Sequence, residues 1–338
     1  MPPLVINILL MQDSKFQTSF QLHNIKFEII SNSKFLLKLI NGSFKSLKCL
    51  HREKIDFTLT YHLKAVEDYK QIPVLPEDGF IQLPLFQQEY LKDNKLCLIA
   101  GLRTIRISVT PQKNLIEVYV VSGQKIDNDL LFDLIFFQPL KFLLGFHKLY
   151  LLHSSCVARD SQAILFPGQS ESGKSILALS LVRNGFKYIS DDDTILRQNG
   201  NQIECLSFPT EIKIKNSLIK YFPEIKKKFL SPTHKTSKRK IDIQKVYPGS
   251  VEDNAIPRLI IFPKFREASK TEIKPVSKKE ALHYLIKDDF KAFRGQYEEI
   301  AKQHFQILSN LVQQAKTYQL FYKDCDINKI PKIVSSLL

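Results

Sequence analysis

The chain of 338 residues is long enough for one large or two ordinary domains, and its 44% hydrophobic and 25% charged residues exclude a wholly disordered protein. The formal net charge is +15, and eleven lysine and arginine residues fall within residues 213–245. Lysine dominates that stretch and no nucleic-acid-binding motif accompanies it. A basic patch can attract nucleic acid, an acidic partner or phosphates, but this one disfavours nucleic acid as the main partner. Solvated lysine faces together with a phosphate-facing segment are the preferred explanation.

Cysteine usage and hydropathy indicate a cytoplasmic protein. The five cysteines stand singly and form no C-x-x-C pair, which argues against a disulfide framework or a zinc site. The most apolar stretch, residues 130–146, is interrupted by Asp133, Pro139 and Lys141. It therefore predicts a buried helix that is kinked or broken at Pro139 rather than a membrane span. We expect no membrane partner, and the composition leaves oligomerisation open.

Residues 1–125 predict a β-rich N-terminal domain. Several segments alternate apolar and polar residues with the period of two that a half-buried strand requires, namely residues 16–22, 55–59, 105–109 and 115–121. No cofactor motif occurs among them. The sequence therefore indicates the architecture of this domain but not its role.

Residues 126–338 predict a second domain of the α/β class, in the broader sense an α+β arrangement on a mixed sheet. Residues 149–154 and 163–166 are apolar and predict buried strands. Residues 176–182 then predict a helix, which ends at Asn184-Gly185 because glycine suits the position that follows a helix.

Further along, Asn199-Gly200-Asn201 lies between two apolar runs and predicts a hairpin. The polar, lysine-rich residues 226–247 predict a segment that is largely mobile in the absence of ligand. Residues 226–245 fit either a loop that closes over the site and attracts an acidic partner or a loop that is merely solvated. The rest of the chain predicts strands at residues 258–262 and 318–322 and helices at residues 280–287, 297–316 and 327–338.

The segment between the strand at 163–166 and the helix at 176–182 matches the pattern G-x-x-x-x-G-K-[ST]. Its residues are Gly168, Gln169, Ser170, Glu171, Ser172, Gly173, Lys174 and Ser175. In such a loop the backbone N–H groups converge on phosphate oxygens, and the N-terminus of the helix adds partial positive charge. We expect Lys174 to contact the β- and γ-phosphates of a nucleotide and the Ser175 hydroxyl to ligate Mg²⁺.

Three aspartates, Asp191, Asp192 and Asp193, follow a short predicted strand at residues 186–189 and lie seventeen to nineteen residues after Lys174. A carboxylate at a strand end in a nucleotide site commonly holds Mg²⁺ or accepts a proton from a hydroxyl substrate. Successive side chains cannot all face one phosphate, so we expect Asp191 or Asp192 to act. His153 lies at the end of the predicted strand that precedes the strand of the phosphate loop. It is either a structural histidine or a group that orients the catalytic carboxylate.

Together these positions resemble the catalytic domain of HPr serine kinase/phosphorylase and its kinase-like relatives. The matching positions are His153, Gly168, Ser170, Gly173, Lys174, Ser175, Gly185, Asp191 and Asp192. The core resemblance covers residues 152–196, and looser similarity extends through the C-terminal half. It implies a P-loop kinase fold related to phosphoenolpyruvate carboxykinase, with ATP and Mg²⁺ bound at the loop.

The resemblance also implies roles for individual side chains. Asp191 or Asp192 would take the proton from a serine hydroxyl, and His153 would support that carboxylate. A basic residue from a mobile loop, Arg239 or Arg258, would close over the phosphates.

The chain departs from the family in several places. Glu171-Ser172 stands where the family has Gly-x, and a glutamate beside phosphate must point to solvent to avoid repulsion. The metal-binding glutamate of the family has no match at its expected spacing. Glu211 is the nearest substitute, so the predicted Mg²⁺ ligands are Ser175, Asp192 and Glu211. The motif used for dephosphorylation is not found, and the reverse reaction is therefore not implied.

The sequence thus predicts an ATP-dependent kinase with Asp191, Asp192, His153 and Lys174 as its catalytic residues. The expected acceptor is a serine of a protein or peptide partner. A second interpretation, from a different class, is an ATP-binding regulatory module without phosphoryl transfer. A decarboxylating carboxykinase is a third interpretation, which is disfavoured because no set of oxaloacetate-binding arginines is visible.

Overall fold

The computed structural model describes residues 15–43, 54–72, 81–83, 87–92, 95–100, 104–123, 126–169, 171–208, 212–228, 238–265, 270–289 and 298–338. The chain divides into two compact units, Met1–His147 and Lys148–Leu338. The sequence pattern placed the domain boundary after residue 125. The unit boundary follows His147 because helical residues just before it pack on the first sheet, where the ring of Phe136 stacks on Tyr61 at 4.9 Å.

In the first unit, eight strands of the described residues form one mixed sheet. They are β1 (Phe16–Leu22), β2 (Ile25–Ser31), β3 (Phe57–Val66), β4 (Ile81–Leu83), β5 (Gln87–Lys92), β6 (Lys95–Ala100), β7 (Ile105–Thr110) and β8 (Leu115–Val121). Their order is β1-β2-β3-β8-β7-β6-β5-β4, with β3 parallel to both β2 and β8. Burial alternates along β2, β3, β7 and β8, as the period of two predicts.

Among the described residues of this unit, three α-helices accompany the sheet: α1 (Lys34–Ser43), α2 (Asn128–Phe132) and α3 (Gln138–Phe146). A π-helical turn, Asp133–Phe137, joins α2 to α3. The helix is therefore not broken at Pro139. Instead, the wider turn comes first and Pro139, which has no N–H to donate, lies in the opening turn of α3. None of the helices in the described ranges has the length and apolar character needed to cross a bilayer.

The second unit contains a nine-stranded sheet and a two-stranded one within its described residues, so the fold is mixed α/β. The strands are β9 (Leu149–Leu152), β10 (Ser154–Arg159), β11 (Gln162–Pro167), β12 (Lys187–Ser190), β13 (Thr194–Asn199), β14 (Gln202–Leu206), β15 (Ile212–Lys215), β16 (Lys238–Ile241), β17 (Asn254–Phe265), β18 (Glu272–Pro275) and β19 (Lys316–Tyr322). The large sheet has the order β12-β10-β11-β17-β14-β13-β9, with β19 beside β17 and β18 beside β19. β11, β17 and β19 are parallel.

The helices of this unit are α4 (Lys174–Arg183), α5 (Pro223–Lys228), α6 (Ile243–Val246), α7 (Lys278–Asp289), α8 (Glu298–Gln314) and α9 (Ile330–Ser335). α4 is buried at nearly every position because β10, β11, β15 and α9 all pack against it. A helix that is apolar on all sides is stable only in such surroundings. The phosphate loop therefore leads into the centre of the hydrophobic core.

Of two segments predicted from local sequence, one forms as expected and the other differs. The hairpin at Gly200 forms as predicted, with Asn199 paired to Gln202 and Gly200 at a φ of 57°. The mobile segment expected for residues 226–247 is wrong for residues 226–228, which end α5, and for residues 238–246, which contain β16 and α6; residues 229–237 lie outside the described ranges. Residues 238–246 are ordered because Ile241 and Ile243 are buried in the core around α4.

Candidate active site

The candidate site lies at one edge of the second sheet. β11 ends there at Pro167, and β17 and β19 end at the same edge because they run parallel to β11. β10 is antiparallel to β11, so Ser154 at its start pairs with Pro167. β12 is antiparallel to β10, which brings its end, Ser190, opposite Cys156. His153, the phosphate loop and the three aspartates therefore gather at this edge, as the sequence predicts.

The phosphate loop has a backbone that L-residues adopt reluctantly. Gly173, which precedes α4, has a φ of 96°, and Glu171 has a φ of 71°. The left-handed region suits glycine because it has no Cβ, so Glu171 occupies a conformation in which glycine would be unstrained. A Cβ on Gly173 would in addition collide with the hydroxyl of Tyr322. Gly173 is thus required both by its backbone and by a close neighbour.

Tyr322, at the end of β19, supports the loop. Its side chain is fully buried, and its hydroxyl donates a hydrogen bond to the carbonyl oxygen of Gly173 at 3.1 Å. Burial raises the pKa of this phenol well above its usual value, so the hydroxyl remains a donor. Sequence reasoning missed Tyr322, since its strand lies nearly 150 residues after the loop and carries no motif.

Lys174 is held inside the loop with only 5% of its surface exposed. Its Nζ donates to the carbonyl oxygens of Gly168 at 2.5 Å and Gln169 at 2.9 Å, and it lies 3.2 Å from Nε2 of His153. A lysine ammonium can only donate, so this contact requires a neutral His153 with its proton on Nδ1. His153 therefore contacts the phosphate-loop lysine.

Asp191 is the buried carboxylate of the site, with 1% of its surface exposed. It accepts a hydrogen bond from the hydroxyl of Ser155, which is fully buried itself. Burial and the neighbouring charge of Asp192 raise the pKa of Asp191 to about 6, against the lowering influence of hydrogen bonds from Ser155 and Ser175 and of the charge on Lys174. The structure thus brings Asp191 close to the phosphate loop.

Buried hydroxyl groups tie the surrounding strand ends together. Ser154 donates to the Oγ1 of Thr194 at 2.8 Å, and Ser190 lies 2.6 Å from the same oxygen. These contacts join β10, β12 and β13 around the turn that carries the aspartates. Within that turn, the backbone N–H of Asp193 donates to the carbonyl oxygen of Asp191 at 2.9 Å. The run S-D-D-D-T contains Ser190 and Thr194, but only the packing shows that their hydroxyls and that of Ser154 link the strands.

Glu171 points away from the loop interior. Its carboxylate forms an ion pair with Lys215 of β15 at 2.6 Å, and the two side chains are 63% and 38% exposed. An exposed pair of this kind contributes little to stability. Its consequence is electrostatic, because the lysine partly neutralises the acidic residue that replaces glycine in the loop. Lys215 was not among the predicted site residues.

The loop suits a polyphosphate. Ser172 Oγ is buried and has no hydrogen-bond partner among the described residues, and it faces Gly168, where a Cβ would lie 3.1 Å away. Such a hydroxyl, together with Lys174 and the helix N-terminus, matches the donors that phosphate oxygens need.

Mg²⁺ would find hard oxygen donors at the same edge, in the hydroxyl of Ser175 and the carboxylate of Asp192. In the described ranges, no group of three or more histidine, cysteine or acidic side chains is arranged to hold a metal by itself. Mg²⁺ in nucleotide sites usually takes its remaining ligands from phosphate and water, so this small donor set suits it.

Of the remaining residues named from the sequence, two are not described and two lie on strands of the second unit. Ser170 and Glu211 lie outside the described residues, and Arg239 lies on β16. Arg258 is exposed near the middle of β17, at the level of Ala163 and Ile164 of β11. That level is about four residues, or about 13 Å, before the loop edge. Arg258 is therefore poorly placed to close over phosphates.

Comparisons with known proteins give limited information. No protein-family model and no curated protein matches the sequence. A solved structure with similarity is that of the HPr(Ser) kinase/phosphatase from Coxiella burnetii, with 17% identity, a TM-score of 0.30, and coverage of 55% of this chain and 92% of that chain. A TM-score this low supports no conclusion about activity, which therefore depends on the geometry described above.

The contact between Gly173 and Tyr322 predicts that a side chain at position 173 destabilises the fold more than one at a glycine with open space around it. We expect Gly173→Ala to lower the free energy of unfolding by about 2–3 kcal/mol, since it adds a collision to backbone strain. Gly185→Ala is the matched control, because Gly185 also has a left-handed φ, 88°, but open space around its Cβ position. It should cost only about 1 kcal/mol. Urea unfolding measures both, and equal losses would contradict the proposed contact.

The raised pKa of Asp191 predicts that this carboxyl group lowers the free energy of unfolding as the pH rises. Between about pH 4 and pH 6 the unfolded chain ionises at this position while the folded protein keeps its proton, so folding stability falls as pH rises through that window. Asp191→Asn should therefore gain up to about 3 kcal/mol relative to wild type between pH 4 and pH 7, and the difference should be constant above that.

This pH dependence is measured by urea unfolding in metal-free buffer at a series of pH values. Asp160→Asn, in the exposed turn between β10 and β11, is the control and should run parallel to wild type. If the free energy of unfolding of Asp191→Asn varied with pH in parallel with that of wild type, burial would not disfavour the ionised carboxylate.

Proposed function

We propose that this protein is an ATP-dependent kinase that transfers the γ-phosphoryl group to a serine of a protein or peptide. One observation carries the proposal: the buried carboxylate of Asp191 interacts with Ser175 and Lys174 of the phosphate loop. A phosphate loop alone is compatible with many nucleotide-binding proteins, whereas a carboxylate beside it supplies a base for a hydroxyl acceptor. The motif resemblance supports the same reaction class.

In the proposed reaction the serine Oγ attacks the γ-phosphorus, the bond from that phosphorus to the β–γ bridging oxygen breaks, and ADP leaves. An oxygen of the Asp191 carboxylate accepts the hydroxyl proton. A pKa of about 6 suits this role, because the group is mostly ionised at neutral pH and is a stronger base than an ordinary aspartate. Lys174 neutralises charge on the β- and γ-phosphates.

Mg²⁺ bound with ATP would add further charge neutralisation. Ser175 and Asp192 are the described residues that would hold it, and Glu171 would stay outside because it pairs with Lys215.

The expected acceptor is acidic or lies on an acidic surface. The chain carries a formal net charge of +15, which favours association with a negatively charged partner. Such attraction raises the rate of encounter more than it fixes the geometry of transfer, so the acceptor serine itself must be positioned by contacts near Asp191.

The proposal is tested with purified protein, Mg²⁺ and γ-labelled ATP on an array of acidic peptides that each contain one serine. We expect label on serine peptides and none on matched alanine peptides. Lys174→Ala should remove ATP binding and transfer together, since the loop loses its cation. Asp191→Asn should retain ATP binding and lower transfer by at least about 100-fold, because general-base catalysis contributes about that much.

The outcomes separate the kinase from the regulatory module that the sequence also allows. Transfer that survives in Lys174→Ala would exclude this site as the source of activity. Tight ATP binding by the wild type with no label on any peptide and no ATP turnover would favour the regulatory module.

The two residues on either side of Ser154 should affect different steps. His153 contacts Lys174, so His153→Ala should weaken ATP binding by about tenfold, which corresponds to one hydrogen bond to a charged group. Ser155 holds Asp191, so Ser155→Ala should leave the Kd for ATP unchanged and lower the rate of transfer by about tenfold.

Calorimetric titration with ATP and single-turnover transfer measure the two quantities separately. Ser155→Thr, which keeps a hydroxyl, is the control for Ser155→Ala and should recover part of the rate. A loss of ATP binding in Ser155→Ala equal to that in His153→Ala would contradict this division of roles.

A further inference from the structure

A cleft with a volume of about 330 Å³ opens beside the phosphate loop. The loop contributes Gly168 and Ser172 to its walls, and the end of β17, the last turns of α7 and the middle of β19 form the remainder. This volume lies at the lower end of the range for small-molecule sites. A molecule with phosphate groups on the loop would extend directly into it.

The walls combine aromatic and amide surfaces. Phe262 of β17 and Tyr284 of α7 meet edge to face with ring centroids 5.1 Å apart. Gln319 of β19 also lines the cleft and is only partly buried. Within the described part of the chain, neither the side-chain amide of Gln319 nor the hydroxyl of Tyr284 forms a hydrogen bond. An aromatic surface beside an available amide suits a flat heterocyclic base with a polar edge.

The charges around the cleft favour an anionic ligand. Lys264 and Lys287 both line it, and neither forms an ion pair with any carboxylate among the described residues. The acidic residue in the wall, Glu171, is paired with Lys215. A ligand that carries several phosphates would therefore enter a region of net positive potential.

The cleft is distinct from the place where phosphoryl transfer would occur. Asp191, His153 and Lys174 are not among the described residues of its walls. If Asp191 is the base, the acceptor hydroxyl must lie near it and not in the cleft. The part of ATP that needs a place away from Asp191 is the nucleoside.

We propose that the cleft binds the base and ribose of ATP, with the base against Tyr284 and Phe262 and its polar edge toward Gln319. This inference rests on the proposed binding of ATP at the loop, and it adds residues that no sequence motif marks. A glutamine amide offers both a donor and an acceptor, which matches the amino group and ring nitrogen along one edge of adenine.

The test compares ATP with inorganic tripolyphosphate, each with Mg²⁺, because tripolyphosphate lacks the nucleoside. Calorimetric titrations use wild type, Tyr284→Ala, Gln319→Ala and, as the control on the same helix, His283→Ala, whose side chain is exposed and outside the cleft. We expect Tyr284→Ala and Gln319→Ala each to raise the Kd for ATP about tenfold and to leave the Kd for tripolyphosphate unchanged. Lys174→Ala should weaken the binding of both ligands.

Equal effects on ATP and tripolyphosphate, or no effect on either, would overturn the assignment of the cleft. It would also be overturned if wild type bound the two ligands equally tightly, since the nucleoside would then contribute nothing. If Tyr284→Ala fails to fold, Gln319→Leu tests the same point, because it removes the amide without adding a charge and should therefore weaken the binding of ATP but not that of tripolyphosphate. Selective loss of ATP binding without any peptide phosphorylation would support the cleft and reject the kinase.

Discussion

The direction of three neighbouring strands is the constraint on which the candidate site depends. β10 runs antiparallel between β11 and β12, so the end of β11, the start of β10 and the end of β12 lie at one edge of the sheet. That arrangement places the phosphate loop, His153 and the aspartates side by side although they are separated in the chain. Reversal of any one of these strands would move its polar end to the opposite edge. The chemistry proposed for the site follows from this topology.

Two charged side chains are buried at the same edge of the sheet, and burial of each has a large desolvation penalty. Lys174 and Asp191 are almost fully buried, and each would lose several kcal/mol of hydration without compensation. Lys174 is compensated by loop carbonyl oxygens and by the imidazole of His153, and Asp191 by the hydroxyls of Ser155 and Ser175. Compensation is incomplete for Asp191, whose pKa stays raised at about 6. Burial beside a second charge of the same sign is an arrangement by which functional sites raise the pKa of a carboxyl group.

The phosphate loop is stabilised from outside its own sequence. Tyr322 of β19 donates a hydrogen bond to the carbonyl oxygen of Gly173, and Lys215 of β15 forms an ion pair with Glu171. The first contact fixes the carbonyl of Gly173, and the second partly neutralises the charge of Glu171. They also set the loop between two different environments, the buried carboxylate of Asp191 and the cleft lined by Tyr284 and Gln319. A nucleotide that spans both would have its phosphates at the boundary.

Local sequence patterns determined the phosphate loop, the hairpin at Gly200, the strand character of the first unit and the candidacy of His153, Lys174 and Asp191, because each depends on residues that are close in the chain. Tertiary structure decided the rest. It ordered residues 238–246 through burial of Ile241, assigned the helix at 128–146 to the first unit, and set Arg258 away from the loop. It also brought Tyr322 and Lys215 to the loop. These outcomes depend on strand pairing and packing between distant segments, which hydrophobic periodicity does not encode.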